Sequence, residues 1–157
     1  MNPQNIIGEF GIYAGTLIIC FVSGFIPIIN TELFLIFLSF TMPPKIIIPV
    51  IALAALGQMA AKTILFLSGR GIVKISLKKY QSKMDKVRHK METWQSKIDV
   101  FIFISALTSI PPFYIVSIVA GTIPLSVARF FVVGLSGRFL RFGLIMVFPQ
   151  FFKEFLL

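Results

Sequence analysis

The sequence predicts an all-α integral membrane protein. Two broken-helix (re-entrant) hairpins and two full transmembrane helices form an inverted repeat, with a basic amphipathic helix between the halves. Three observations predict this. The 157 residues are 57% hydrophobic and 13% charged, with a mean hydropathy of +0.92, more apolar than a soluble domain of this length. Apolar runs reach the ~20 residues needed to cross a bilayer, but two of them are broken by prolines and polar residues. The net charge of +9 is concentrated: nine basic residues between Arg70 and Lys97 are opposed only by Asp85 and Glu92. A basic stretch flanked by spans marks the cytoplasmic face and touches anionic headgroups.

The whole chain reads as one membrane domain, with a first half over 10–69, a basic helix over 70–98, a second half over 99–148 and a tail over 149–157. Residues 1–9 are polar and short, with Asn2-Pro3 and Gly8 suggesting a loose entry, and lack the positive n-region of a signal peptide. The apolar run 10–41 breaks at Pro27, which removes a helix hydrogen bond and clashes with the preceding turn. Its arms, 10–25 and 31–40, are both shorter than a span, the signature of a re-entrant hairpin or a discontinuous helix whose irregular backbone must be covered by protein or a wet cavity. Thr31 is placed to cap the second arm. Glu32 is an ionisable group at membrane depth, hence a functional residue by default.

Met42-Pro43-Pro44-Lys45 is a surface turn, and 46–69 is a full span. Gly57, Ala60 and Ala61 let another helix come close. Gln58 and Lys62, four residues apart, share a face; Lys62 either snorkels to an interface or points inward. Gly69-Arg70-Gly71 closes the span. From residue 73 the apolar positions 73, 77, 80, 84, 87, 91, 94 and 98 alternate steps of four and three, a heptad seam with lysines on the other faces. An interfacial helix on an anionic leaflet fits it; a coiled-coil homodimer is the second reading. His89 falls on the polar side, and Cys20, the single cysteine, is a packing residue.

The second half repeats the first. Arms at 100–106 and 113–120 flank Thr108-Ser109-Ile110-Pro111-Pro112, Gly121-Thr122-Ile123-Pro124 is the turn, and 125–148 is the last span, carrying Arg129, Arg138 and Arg141. Ile26-Pro27 aligns with Ile110-Pro111, and Leu56-Gly57-Gln58 with Ser136-Gly137-Arg138. A hairpin returns to its own side, so each half crosses once and the second runs in the opposite orientation, the inverted-repeat plan of many transporters.

Three segments resemble the DedA family, also called the VTT or SNARE-associated Golgi protein superfamily. They are Pro27-Ile28-Ile29-Asn30-Thr31-Glu32-Leu33; Gly57-x-x-x-Ala61-Lys62-x-x-x-Phe66-x-x-Gly69-Arg70; and Ser109-Ile110-Pro111-Pro112 through Ala120-Gly121, followed by Phe130 and Gly137-Arg138. The resemblance implies facing re-entrant hairpins and movement of lipid between leaflets, either a polyprenyl phosphate or a phospholipid, with proton coupling in bacterial members. The chain departs from the family at three positions. Lys62 stands where many bacterial members have an aspartate, and Thr108 and Tyr114 stand where the second hairpin usually has arginines. Glu32 is the family carboxylate that remains.

The expected translocation site is lined by Asn30, Thr31, Glu32, Gln58, Lys62, Thr108, Ser109 and Tyr114, with Arg138, Arg141 and Lys62 to hold a phosphate and Glu32 pairing with Arg138 when the site is empty. Pro27, Pro111 and Pro112 are the structural breaks. An ion pair that only sets helix register is the bland alternative. A non-transport scaffold recruiting partners through the basic helix is the other function class. There is no His-Glu-x-x-His, no Gly-x-Ser-x-Gly and no paired intramembrane carboxylates, so no enzyme, metal, cofactor or nucleic-acid partner is expected. The partners expected are membrane lipids, the location the cell membrane, with 70–98 cytoplasmic.

Overall fold

A computed structural model describes residues 3–26, 30–76 and 95–156. Its elements are α1 (Pro3–Phe25), α2 (Thr31–Thr41), a 3-10 turn (Pro44–Ile46), α3 (Ile47–Ser76), α4 (Gln95–Thr108), α5 (Phe113–Thr122) and α6 (Val127–Leu156). The described residues are all helix and connection, with no strand. Pro27 and most of the heptad segment, 77–94, lie outside the described residues.

Four boundaries differ from the sequence reading. The lead-in is helical from Pro3, because a proline in the first turn has no hydrogen bond to lose. The apolar segment does end at Gly69-Arg70-Gly71, but the helix does not stop there; α3 runs through it to Ser76, since isolated glycines cost a helix only ~1 kcal/mol each. The basic helix and the next arm are not separate at residue 98, because α4 starts at Gln95 and continues to Thr108. The tail is helical too, and α6 continues past Pro149.

The breaks are held by side chains. Asn30, not Thr31, is the N-cap of α2: its side chain accepts from the backbone N–H of Glu32 at 3.0 Å and of Leu33 at 3.3 Å. At the second break Ser109 takes φ 59°, the left-handed position that ends helices and usually belongs to glycine, and its N–H reaches the Ser105 carbonyl at 2.8 Å. The Ser105 hydroxyl donates to the Pro111 carbonyl at 2.8 Å. Pro112 then starts α5, its carbonyl accepting from Ile115 and Val116.

The chain divides into two compact units, 1–61 with 138–157, and 62–137. Each holds one helix pair and parts of α3 and α6. In the first, α1 and α3 cross at Gly57 and Gly24. A Cβ on Gly57 would meet the Leu17 carbonyl, the Phe21 nitrogen and the Cys20 Cβ. In the second, α4 and α6 cross at Gly137, where a Cβ would meet the Phe103 carbonyl, the Leu107 nitrogen and the Ala106 Cβ. The two glycines thus face the same i, i+3, i+4 atom set of a partner helix. Also in the second unit, α3 and α5 approach so closely that the Ile118 carbonyl occupies the Cβ position of Gly69, and the Phe66 carbonyl that of Gly121. Beside this crossing Phe130 stacks with Phe66 at 4.5 Å and with Phe113 at 6.0 Å between centroids.

Both 30-residue helices bury a stripe at four-residue steps. On α3 it is Val50, Ala54, Gln58, Lys62 and Phe66; on α6 it is Phe130, Gly134, Arg138, Phe142 and Met146. The segments Pro44–Gly71 and Val127–Pro149 are long and apolar enough to cross a membrane. At 1.5 Å per residue, α2 and α5 reach only about 16 Å.

Candidate functional site

In the first unit the end of α1, the start of α2 and the middle of α3 bring three buried polar side chains together. The Gln58 Nε2 donates to Thr31 Oγ1 at 2.9 Å and to Ser23 Oγ at 3.4 Å. The Thr31 hydroxyl donates to Ser23 Oγ at 2.5 Å, and the Ser23 hydroxyl to the Cys20 carbonyl at 2.8 Å. Every proton in this chain runs one way, from α3 to the backbone of α1. The acceptor left over is Gln58 Oε1, which is buried and has no hydrogen-bond partner among the described residues. A buried, unmatched carbonyl oxygen is costly unless something donates to it.

The Asn30 cap also sets Glu32 in the first turn of α2. Its carboxylate is bound by Arg141 of α6, through Nε at 2.9 Å and through Nη2 to the same oxygen. Arg138 lies one turn earlier on α6. It is 6% exposed, its guanidinium stands 6.0 Å from the centre of the Phe142 ring, and it is within Coulombic range of Glu32 and Arg141. The closed partner of Glu32 is therefore Arg141 rather than Arg138. The more buried Arg138 has its guanidinium beside Phe142 of its own helix and adds positive charge near the pair. One carboxylate held by one guanidinium and backed by another is an arrangement in which a second oxyanion, a phosphate above all, can compete with the carboxylate for donors.

Of the ten residues expected at the site, Asn30, Thr31, Glu32, Gln58, Arg138 and Arg141 belong to this unit, and Lys62, Thr108, Ser109 and Tyr114 to the other. There Lys62 is buried with its ammonium 5.9 Å from the centre of the Tyr114 ring, a cation–π arrangement. The Thr108 hydroxyl is committed to its own turn, donating to the Ile104 carbonyl at 2.8 Å and accepting from the Ile110 N–H at 3.1 Å. In this position it supports the break.

Sequence reasoning missed Ser23, the hub of the buried chain. Its signal was a hydroxyl in an otherwise apolar arm, where small polar residues join helices. It also missed the ion pair of Asp99 with Arg129, at 2.9 Å from Nε and 2.5 Å from Nη2, which ties α4 to the start of α6. No family model, curated protein or solved structure matches the chain.

Proposed function

We propose that this chain is a multi-pass cell-membrane protein of the DedA kind that moves a phosphate-bearing lipid, a polyprenyl phosphate or an anionic phospholipid, from one leaflet to the other. The observation that carries the reading is the group Glu32, Arg138 and Arg141, an ion pair across α2 and α6 with a second, buried arginine in Coulombic range. Charges at membrane depth are expensive and mark ion or substrate pathways. Around them the helices turn large apolar side chains outward. Leu33, Phe37 and Phe40 on α2, and Val132, Leu144 and Phe148 on α6, are all exposed, as suits a hydrocarbon surrounding and not water.

In this reading the helix pairs α1–α2 and α4–α5 are re-entrant hairpins, α3 and α6 are the spans, and the matched glycine crossings and buried stripes support an internal repeat. The Glu32–Arg141 pair is the empty state. A headgroup phosphate displaces the carboxylate, takes the forked donors of Arg141 and gains the charge of Arg138. Basic residues 70–98 place that segment in the cytoplasm.

The test is lipid translocation by purified protein in proteoliposomes. Glu32→Gln and Arg138→Gln should each abolish headgroup movement while leaving the fold intact. Rates equal to the unaltered protein in both variants would sink the reading.

A further inference from the structure

The second unit carries a groove that the proposed translocation site does not use. It runs between α4 and α5 and has a volume of about 280 Å³, lined by Lys97, Ile98, Phe101 and Ile102 of α4 and by Val116, Val119 and Ala120 of α5, up to Ile123. Its floor is closed, with Ile102, Val116 and Ala120 buried, while its walls are open, with Phe101 50% and Val119 52% exposed. Seven of the eight lining residues are apolar, and the eighth is a lysine at the N-terminal end of α4. The groove is a slot with hydrocarbon walls and one cationic end.

We infer that this groove holds one acyl chain of an anionic phospholipid, with the phosphate against Lys97. Shape and charge both argue for this occupant. A linear chain suits an apolar slot of this volume between two helices, and the single basic residue, Lys97, is at one end of the lining, where a headgroup would follow the chain. A protein helix would need a wider groove and a rim of several polar groups. Lys97 also closes the basic stretch that begins at Arg70, so the same leaflet that attracts that stretch presents anionic lipid to the groove. The site is a resident lipid position on the second helix pair, separate in its residues from Glu32, Arg138 and Arg141. The inference rests on the membrane reading but not on transport.

The experiment uses the full chain in detergent with equal amounts of phosphatidylglycerol and phosphatidylcholine, and counts retained lipid by native mass spectrometry. Phosphatidylglycerol should be retained in preference. Lys97→Gln should weaken that preference about fivefold, the effect of one basic residue at an anionic surface. Val119→Phe, at an exposed wall position, should fill the slot and reduce retention of the bound lipid. Equal retention of the two lipids, or retention unchanged in both variants, overturns the inference. So does a Val119→Cys protein, with Cys20→Ser, that crosslinks to a second copy regardless of added phosphatidylglycerol. Retention is read without translocation, so a protein that keeps phosphatidylglycerol through Lys97 yet moves no lipid supports the groove and refutes the transport reading alone.

Discussion

Gln58, Thr31 and Ser23 show how one buried hydroxyl carries two helices. Thr31 both accepts from Gln58 and donates to Ser23, so Thr31→Val strands a donor on one side and an acceptor on the other. It should cost about 1–2 kcal/mol, whereas Gln58→Leu removes its own unmatched oxygen with its donor and should cost less, about 0–1 kcal/mol. Thermal unfolding in detergent, run as a double-mutant cycle, checks the order. Glu32 and Arg141 differ in the same way. Glu32→Gln leaves Arg138 and Arg141 as neighbouring like charges, whereas Arg141→Gln leaves Glu32 with Arg138 still in range. The first should lower stability more, with the larger loss on the order of 1–3 kcal/mol for a partly exposed pair. A smaller loss for Glu32→Gln than for Arg141→Gln would contradict this assignment. Asn30, Glu32 and Arg141 were all legible from sequence as polar residues in apolar surroundings. Which arginine meets the carboxylate was not legible, because positions 138 and 141 lie on one face of α6 and only the placement of α2 selects between them.

At the scale of elements, the helix crossings are set by glycines whose Cβ positions are already occupied by backbone. Gly69→Ala and Gly121→Ala should each cost about 1–3 kcal/mol, because a methyl group would push α3 and α5 apart. Gly71 and Gly143 face nothing within 4 Å, so alanine there should stabilise the helices by about 0.5–1 kcal/mol. Unfolding midpoints of the four variants should separate into these two pairs. Gly57 was legible as a contact position from its small neighbours. Gly69 was read close to the end of a span, and the apolar segment does end at Gly71, but the helix runs on to Ser76 with Gly69 packed against Ile118 of α5. Local propensity is a weak prior when a neighbouring helix offers contacts.

At the scale of the whole molecule, each unit combines one short helix pair with parts of the two long helices. The basic stretch predicts the orientation. A cysteine introduced at residue 85, with Cys20→Ser, should react with a membrane-impermeant reagent from the cytoplasmic side alone; reaction from outside would reverse the orientation. A cysteine at residue 5 tests α1, whose 23 residues reach about 34 Å, a length sufficient to carry the N-terminus across.

The amino-acid order by itself determined the helical class, the two long apolar helices, the positions of the breaks and the polar residues beside them. These follow from composition, run length and the missing N–H of proline, all local properties of the chain. The tertiary structure decided that Asn30 caps α2, that Ser23 joins Thr31 and Gln58, that Glu32 is held by Arg141, and that a groove with Lys97 at one end opens between α4 and α5. Each of these depends on which faces of separate helices meet. That choice is made by close approach at Gly24, Gly57, Gly69, Gly121 and Gly137, where the lack of a side chain lets backbones touch, and no pattern within a single helix encodes it.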